Sequence, residues 1–242
     1  MNDTRHIKQW IDRVKEAFLA DDYILTSSLL ERALAETDSA PQLLEISGMI
    51  AYKRGDIAGA VRLIEAAMFE IGLSISAQLT IANAWIQVGK TDAARTTASF
   101  LVEIVERVPY SMLAELTHVL SSLQEYELAI TVCRTACERQ PGDDHAVFGL
   151  AFYMYRAGYP LRAVKNMMLK AIDLAPACQL YQLNLAVVCC SLEQWDAAYS
   201  HACRLSAKAL RTIPCQQMVK RLVELFTRFG DDARLNELNC AE

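Results

Sequence analysis

The sequence predicts an all-α fold of stacked helical hairpins, and three observations predict it. Similar units begin near Ile7, Pro41, Ile75, Tyr110, Asp144, Gln179 and Gln216, at spacings of 34, 34, 35, 34, 35 and 37 residues. In each unit apolar residues recur at three- and four-residue steps, as in Leu113, Leu116 and Leu120 or Val147, Leu150, Ala151 and Met154. That spacing is one face of a helix. A turn signal then divides each unit in two, and no run of alternating apolar residues calls for strands.

The turn comes after the first helix of each unit. Gly55, Gly89, Gly158 and Gly230 occupy equivalent positions, where a positive φ closes a helix at little cost, and Asp21, Gln124 and Glu193 replace glycine in the other units. The second half of each unit is again helical, with Ala60, Ala94, Ala129, Ala163 and Ala198 at one equivalent site. A small side chain there lets two helices approach closely. Pro41, Pro109, Pro141, Pro176 and Pro214 punctuate unit ends, and Pro160 follows Gly158, where a first-turn proline is tolerated. The last unit has one clear helix, from Gln216, and a short closing segment around Leu235.

Of the 242 residues, 53 % are hydrophobic and 22 % charged, a composition rich enough in apolar groups to offset the entropy of ordering. The net charge of −5 argues against nucleic-acid binding, which needs clustered Lys and Arg to displace phosphate counterions. The N-terminal stretch carries Asp3, Arg5, Lys8, Asp12 and Arg13 and has no apolar core of a secretory signal. Two stretches, 71–89 and 174–192, are free of charge, but Ser74, Gln78, Thr80, Asn83, Gln179, Gln182 and Asn184 within them favour buried repeat helices over membrane spans. The eight cysteines, at 133, 137, 178, 189, 190, 203, 215 and 240, lie inside helical pattern; reduced thiols in a cytoplasmic protein are the expectation.

These units resemble tetratricopeptide repeats. The fifth matches the family pattern with Val147, Leu150-Ala151, Met154, Gly158, Ala163, Ala171 and Pro176; the second matches with Leu44, Gly48, Gly55, Ala60, Ile64 and Ala67. The resemblance spans residues 7 to 226 and implies a single superhelical domain over 1–242, with six repeats and a C-terminal helix. Two departures stand out. Arg13 and Ser47 replace the usual Leu, and Ala163 to Ala171 spans eight steps instead of seven, predicting a bulge or an overlong helix near Met167-Met168.

The resemblance also implies a concave groove lined by the first helices of the repeats. Its register assigns Ile46, Met49 and Tyr52 to the groove, with Leu79, Asn83 and Ile86 from the third repeat and His118 from the fourth. Phe148, Phe152, Tyr155 and Arg156 follow from the fifth, Leu183, Asn184 and Val187 from the sixth, and Lys220 and Arg221 from the terminal helix. Exposed contiguous apolar surface marks a contact site. The expected partner is another polypeptide with apolar anchors, and Arg156, Lys220, Arg221 and Arg228 could receive an acidic neighbour of such an anchor. The alternative is that Phe148 and Phe152 pack within the array.

Several chemistries are disfavoured. Some tetratricopeptide co-chaperones grip a carboxylate with Lys, Asn, Asn, Lys and Arg; the positions available here read Ile11, Lys15, Ile46, Ser76 and Thr80. Gly89-Lys90-Thr91 lacks the earlier glycine of a phosphate loop, since Ala84 stands there. Cys133 and Cys137 with His118 and His145 could make a zinc site, but Cys133 falls at a packing position. Of Cys189 and Cys190, the second is expected toward the groove. Glu115 and His118 have no nucleophile beside them, and no cofactor loop is present, so neither an enzyme nor a cofactor is expected. The reading is an adaptor or chaperone. Its rivals are a self-assembling scaffold of homo-oligomers and a chaperone similar to those of type III secretion, which usually carry three repeats.

Overall fold

The computed structural model describes residues 2–36, 40–213 and 215–239; Pro214 and Cys240 lie outside them. Contacts gather the chain into two compact units, Met1–Gln124 and Glu125–Glu242. Unit 1 holds α1 (Asn2–Leu19), α2 (Tyr23–Glu36), α3 (Pro41–Lys53), α4 (Ile57–Met68), α5 (Ile75–Gln87), α6 (Thr91–Glu103) and α7 (Tyr110–Ser122), with a 3₁₀ turn at Val105–Arg107. Unit 2 holds α8 (Tyr126–Arg139), α9 (Asp144–Arg156), α10 (Leu161–Leu174), α11 (Gln179–Ser191), α12 (Trp195–Ala202), α13 (Ala207–Arg211), α14 (Gln216–Phe229) and α15 (Asp232–Asn239). The described residues contain no strand.

Every hairpin closes the same way. Asp21, Gly55, Gly89, Gln124, Gly158, Glu193 and Gly230 all have φ between 56° and 83°. This left-handed residue turns the next N–H back onto a carbonyl of the helix just ended: Asp56 donates to Ala51 at 2.9 Å, Lys90 to Trp85 at 2.8 Å and Gln194 to Cys189 at 2.9 Å. A side chain at such a φ carries strain of about 1–2 kcal/mol, partly offset by glycine's greater freedom in the unfolded chain. Gln124→Gly and Glu193→Gly should therefore each stabilise the protein by about 0.5–1 kcal/mol in urea unfolding, and Gly89→Ala should do the reverse.

Ala60, Ala94, Ala129 and Ala198 are fully buried, as the small-residue register requires. Ala163 is not. Its place is taken by Val164, also fully buried, from which Ala171 follows after the usual seven steps. The extra residue of the fifth repeat therefore lies in the turn, where Tyr159 and Pro160 separate Gly158 from the start of α10, and α10 runs as an unbroken α-helix past Met167 and Met168. Proline explains the shift: it has no N–H for the helix ladder and a fixed φ, so it sits at the helix entrance and moves the start of α10 one residue along.

The second helix of the sixth repeat breaks instead of continuing. After α12 the chain turns at Cys203, whose carbonyl accepts from the Arg234 guanidinium at 2.6 Å, and α13 restarts with Ser206 as its cap. Arg234 is itself paired with Asp231 at 2.6 Å, so α15 ties down the break and buries Leu238, with Leu235 half-buried beside it.

Polar groups on first helices fasten the next cap. Buried Glu45 accepts from the backbone N–H of Ser74 at 3.0 Å and from its hydroxyl, while Ser74 caps α5 through the N–H of Ala77. In unit 2 the Gln179 carbonyl oxygen accepts from Ser206 N–H at 3.1 Å and from its hydroxyl at 2.8 Å. The charge-free stretches 71–89 and 174–192 contain α5 and α11, and α11 buries nine of its thirteen residues. No described helix is long and apolar enough to cross a membrane.

Candidate functional site

In unit 1 the first helices α3, α5 and α7 lie side by side. That packing corrects part of the groove assignment. Ile46, Met49 and Leu79 are buried, Leu79 completely, and form core instead of wall. Two polar pairs bridge neighbouring helices on what remains of the surface. Gln87 Nε2 donates to the Tyr52 hydroxyl at 3.0 Å, and Asn83 Nδ2 donates to Glu115 Oε1 at 3.2 Å. Burial pushes the Tyr52 phenol above its ordinary pKa. Ile86 is half-buried, as are Tyr52 and Asn83, and His118 is exposed.

In unit 2, Leu183 and Val187 are likewise buried, because α11 is covered on nearly all sides, with α10, α12 and α14 packed against it. Asn184 is half-buried and donates its amide to the Leu180 carbonyl one turn back on α11 at 2.8 Å. Lys220 is exposed, and Arg221 pairs with Glu224 at 3.4 Å.

The aromatic residues of α9 are placed differently. Phe148 and Phe152 are half-buried, with ring centroids 6.3 Å apart, and Tyr155 is 40 % exposed at the end of the same helix. Phe148 stacks on Tyr181 at 4.4 Å with 22° between the rings, and Phe152 meets Tyr153 edge-on at 5.4 Å. Such pairs add about 0.5–1.5 kcal/mol beyond the area they bury. Arg156 lies over the Tyr126 ring at 4.8 Å and donates to its hydroxyl, so the guanidinium is held at the edge of the patch.

Tyr181 is the residue that sequence reasoning missed. It is 1 % exposed, its hydroxyl donates to Asp144 Oδ2 at 2.7 Å, and His145 Nδ1 stands 3.1 Å away. Burial, then the Asp144 hydrogen bond, raises its phenol far above the ordinary value. Its one sequence signal is that it is the sole aromatic of α11.

Other candidates resolve into structure. Lys90 pairs with Glu65 at 2.7 Å, and Glu65 also accepts from the Trp85 indole at 2.7 Å, so Gly89-Lys90-Thr91 is a hairpin turn with an anchored lysine. No group of three or more His, Cys, Asp or Glu among the described residues could hold a metal ion. Cys190, expected toward the groove, is buried beside Cys189. Burial pushes its thiol up to about 11, and that of Cys133 up to about 12. Thiolate is the reactive form. Alkylation of the native protein followed by peptide mapping should therefore modify exposed Cys215 early and leave Cys133, Cys189 and Cys190 unmodified until the chain unfolds.

No family profile and no curated protein matches the sequence. Solved structures do match the fold. The C-terminal part of a TPR repeat-containing protein from Cytophaga hutchinsonii is 11 % identical, with a TM-score of 0.66 over 96 % of this chain and 92 % of that one. MamA from Desulfovibrio magneticus is 18 % identical, with a TM-score of 0.57 over 68 % of this chain and 92 % of that one. YrrB, described as a TPR protein with an unusual peptide-binding site, is 13 % identical, with a TM-score of 0.58 over 81 % and 91 %. The repeat register, the left-handed residue at each hairpin and these likenesses lead to one conclusion: the chain has the tetratricopeptide-repeat fold.

Proposed function

We propose that this chain is a protein-interaction module, an adaptor or chaperone, that captures an apolar-anchored segment of a partner polypeptide on the α9 surface of unit 2. The observation that carries the reading is the packed aromatic patch: Phe148 backed by buried Tyr181, Phe152 beside it, Tyr155 exposed, and Arg156 over Tyr126 at the edge. A side chain taken out of water against such a patch contributes ~1.5–3 kcal/mol. Ordering the captured segment costs several kcal/mol, so affinity is on the order of micromolar. Arg156, at the edge of the patch, favours a segment with Asp or Glu next to the anchor. The peptide-binding site named for YrrB supports the same class of activity for this fold. The described cysteines are all free of disulfides, and that supports a cytoplasmic setting.

The test is an array of short peptides carrying one or two Leu, Ile or Phe anchors beside an acidic residue, read by fluorescence anisotropy. Phe152→Glu places a charge in the patch, and Tyr155→Glu does so at its exposed end. Each should weaken the best peptides about tenfold or more while circular dichroism stays unchanged, the loss of one buried anchor being worth a factor of that size. Folded variants that keep wild-type affinity for every peptide would remove the patch from the mechanism.

A further inference from the structure

The repeat itself shows what is missing in unit 1. At one register position the third to sixth repeats carry Ile81, Leu116, Leu150 and Leu185, with Leu222 in the terminal helix, and all five are buried; the first repeat carries exposed Arg13. The second repeat carries Ser47 there. A hydroxymethyl group stands where its counterparts place a four-carbon side chain, and a cleft of about 240 Å³ opens between α2 and α3. Buried Leu30 and Ile50 line it together with Ala51, and Leu34, 38 % exposed, belongs to the same lining. The Ser47 hydroxyl is shielded from solvent and has no hydrogen-bond partner. Interiors are close-packed, so a gap of this kind at a position that the third to sixth repeats fill is unusual. It is also smaller than the pockets of about 300–1,000 Å³ that hold drug-sized ligands, and suits a single side chain.

The remaining lining is polar and unequal in charge. Arg54 donates to Ser27 Oγ at 2.6 Å, and Asp56 is occupied as the cap of α4, accepting from Gly59 N–H at 2.8 Å. Glu31 is exposed and makes no ion pair among the described residues. The cleft therefore combines an aliphatic wall with one uncommitted carboxylate, two acids standing against one guanidinium.

We propose that this cleft is a socket for one lysine side chain of a partner polypeptide. The four-carbon stem lies along Leu30, Leu34 and Ile50, filling the space that Leu or Ile fills in the third to sixth repeats, and the ammonium reaches the Glu31 carboxylate. Lysine buries its stem on apolar surface while its charged head stays hydrated, which is the division of chemistry this cleft offers. A glutamate would be repelled at the same place. A leucine would fill the wall and leave Glu31 unserved.

The experiment uses the full chain and two probes, Nα-acetyl-lysine amide and Nα-acetyl-norleucine amide, which share the stem and differ in the ammonium. Binding is followed by NMR shift perturbation of the Leu30, Leu34 and Ile50 methyl groups. The lysine probe should bind at least fivefold more tightly than the norleucine probe, Glu31→Gln should erase that preference, and Ser47→Leu should abolish both interactions by filling the cleft. Phe152→Glu should change none of these, which separates this socket from the α9 surface. Absence of saturable lysine binding, equal binding of the two probes, or retention of the preference in Glu31→Gln would each overturn the proposal. Glu31 is exposed, so its variant reports even if Ser47→Leu fails to fold.

Discussion

Gly48→Val is expected to destabilise unit 1 by about 3 kcal/mol or more, at the upper end of what overpacking costs. The reason is local and geometric. A Cβ built on Gly48 would sit 2.4 Å from Cγ1 of Ile64 and 3.2 Å from the carbonyl oxygen of Ala60, so even the first added carbon has no room. Ile64 is completely buried and its Cγ1 is not a free end that can swing aside, while the Ala60 carbonyl belongs to the backbone of α4. Valine adds two further methyl groups to that contact, and α3 and α4 must move apart along the pair. Urea unfolding followed by far-ultraviolet circular dichroism measures the loss. Gly48→Ala should lose less, and shortening the opposing side chain with Ile64→Ala in the Gly48→Ala background should cost less than the two single changes added together, because neighbours of this kind are not additive. A Gly48→Val protein within 0.5 kcal/mol of wild type, inside the range of ordinary surface substitutions, would mean that these helices do not approach as described.

Tyr181→Ala should be of similar size, about 3–5 kcal/mol, the usual cost of emptying a large aromatic site in a core. Tyr181→Phe divides that effect. It keeps the stack beneath Phe148 but removes the donor to Asp144, leaving a carboxylate at a half-buried site without its 2.7 Å partner. Hydrogen bonds to charged groups contribute about 1.5–3 kcal/mol, and that is the expected loss for the phenylalanine variant. The two substitutions should also part company in binding. With Phe148 still backed by a ring, Tyr181→Phe should retain peptide capture on the α9 surface; with the ring gone, Tyr181→Ala should lose it even where the variant is still folded. Thermal unfolding together with anisotropy on the same samples makes the comparison, and equal binding by both variants would show that Phe148 needs no support from beneath.

Much of the fold was legible in the sequence because its signals are local. A residue that must take a positive φ is glycine wherever function allows, and the register around Gly55, Gly89, Gly158 and Gly230 identified Asp21, Gln124 and Glu193 as their stand-ins; all seven adopt that conformation. The fifth repeat shows where local reading stops. Ala163 has the side chain expected at the close-approach site, yet Val164 occupies it, since Pro160 decides where α10 begins and side-chain size does not. The binding surface was less legible for a related reason. Periodicity places Leu79 and Phe152 on the same kind of helix face, but whether a neighbouring helix covers that face depends on packing between repeats. Leu79 is covered and Phe152 is partly open. Tyr181 was invisible in the register because its role depends on Asp144 and Phe148, more than thirty positions earlier.

The placement of the spare residue at Tyr159–Pro160 has an evolutionary consequence. Had it entered the middle of α10, every later side chain of that helix would have swung by about 100° and presented the wrong surface to its neighbours. Absorbed at the elbow, it leaves the angular phase of both flanking rods untouched. Elbows of this sort are where such a protein can gain length during divergence, and where an engineer can graft an epitope or a fluorescent label without disturbing the rods themselves.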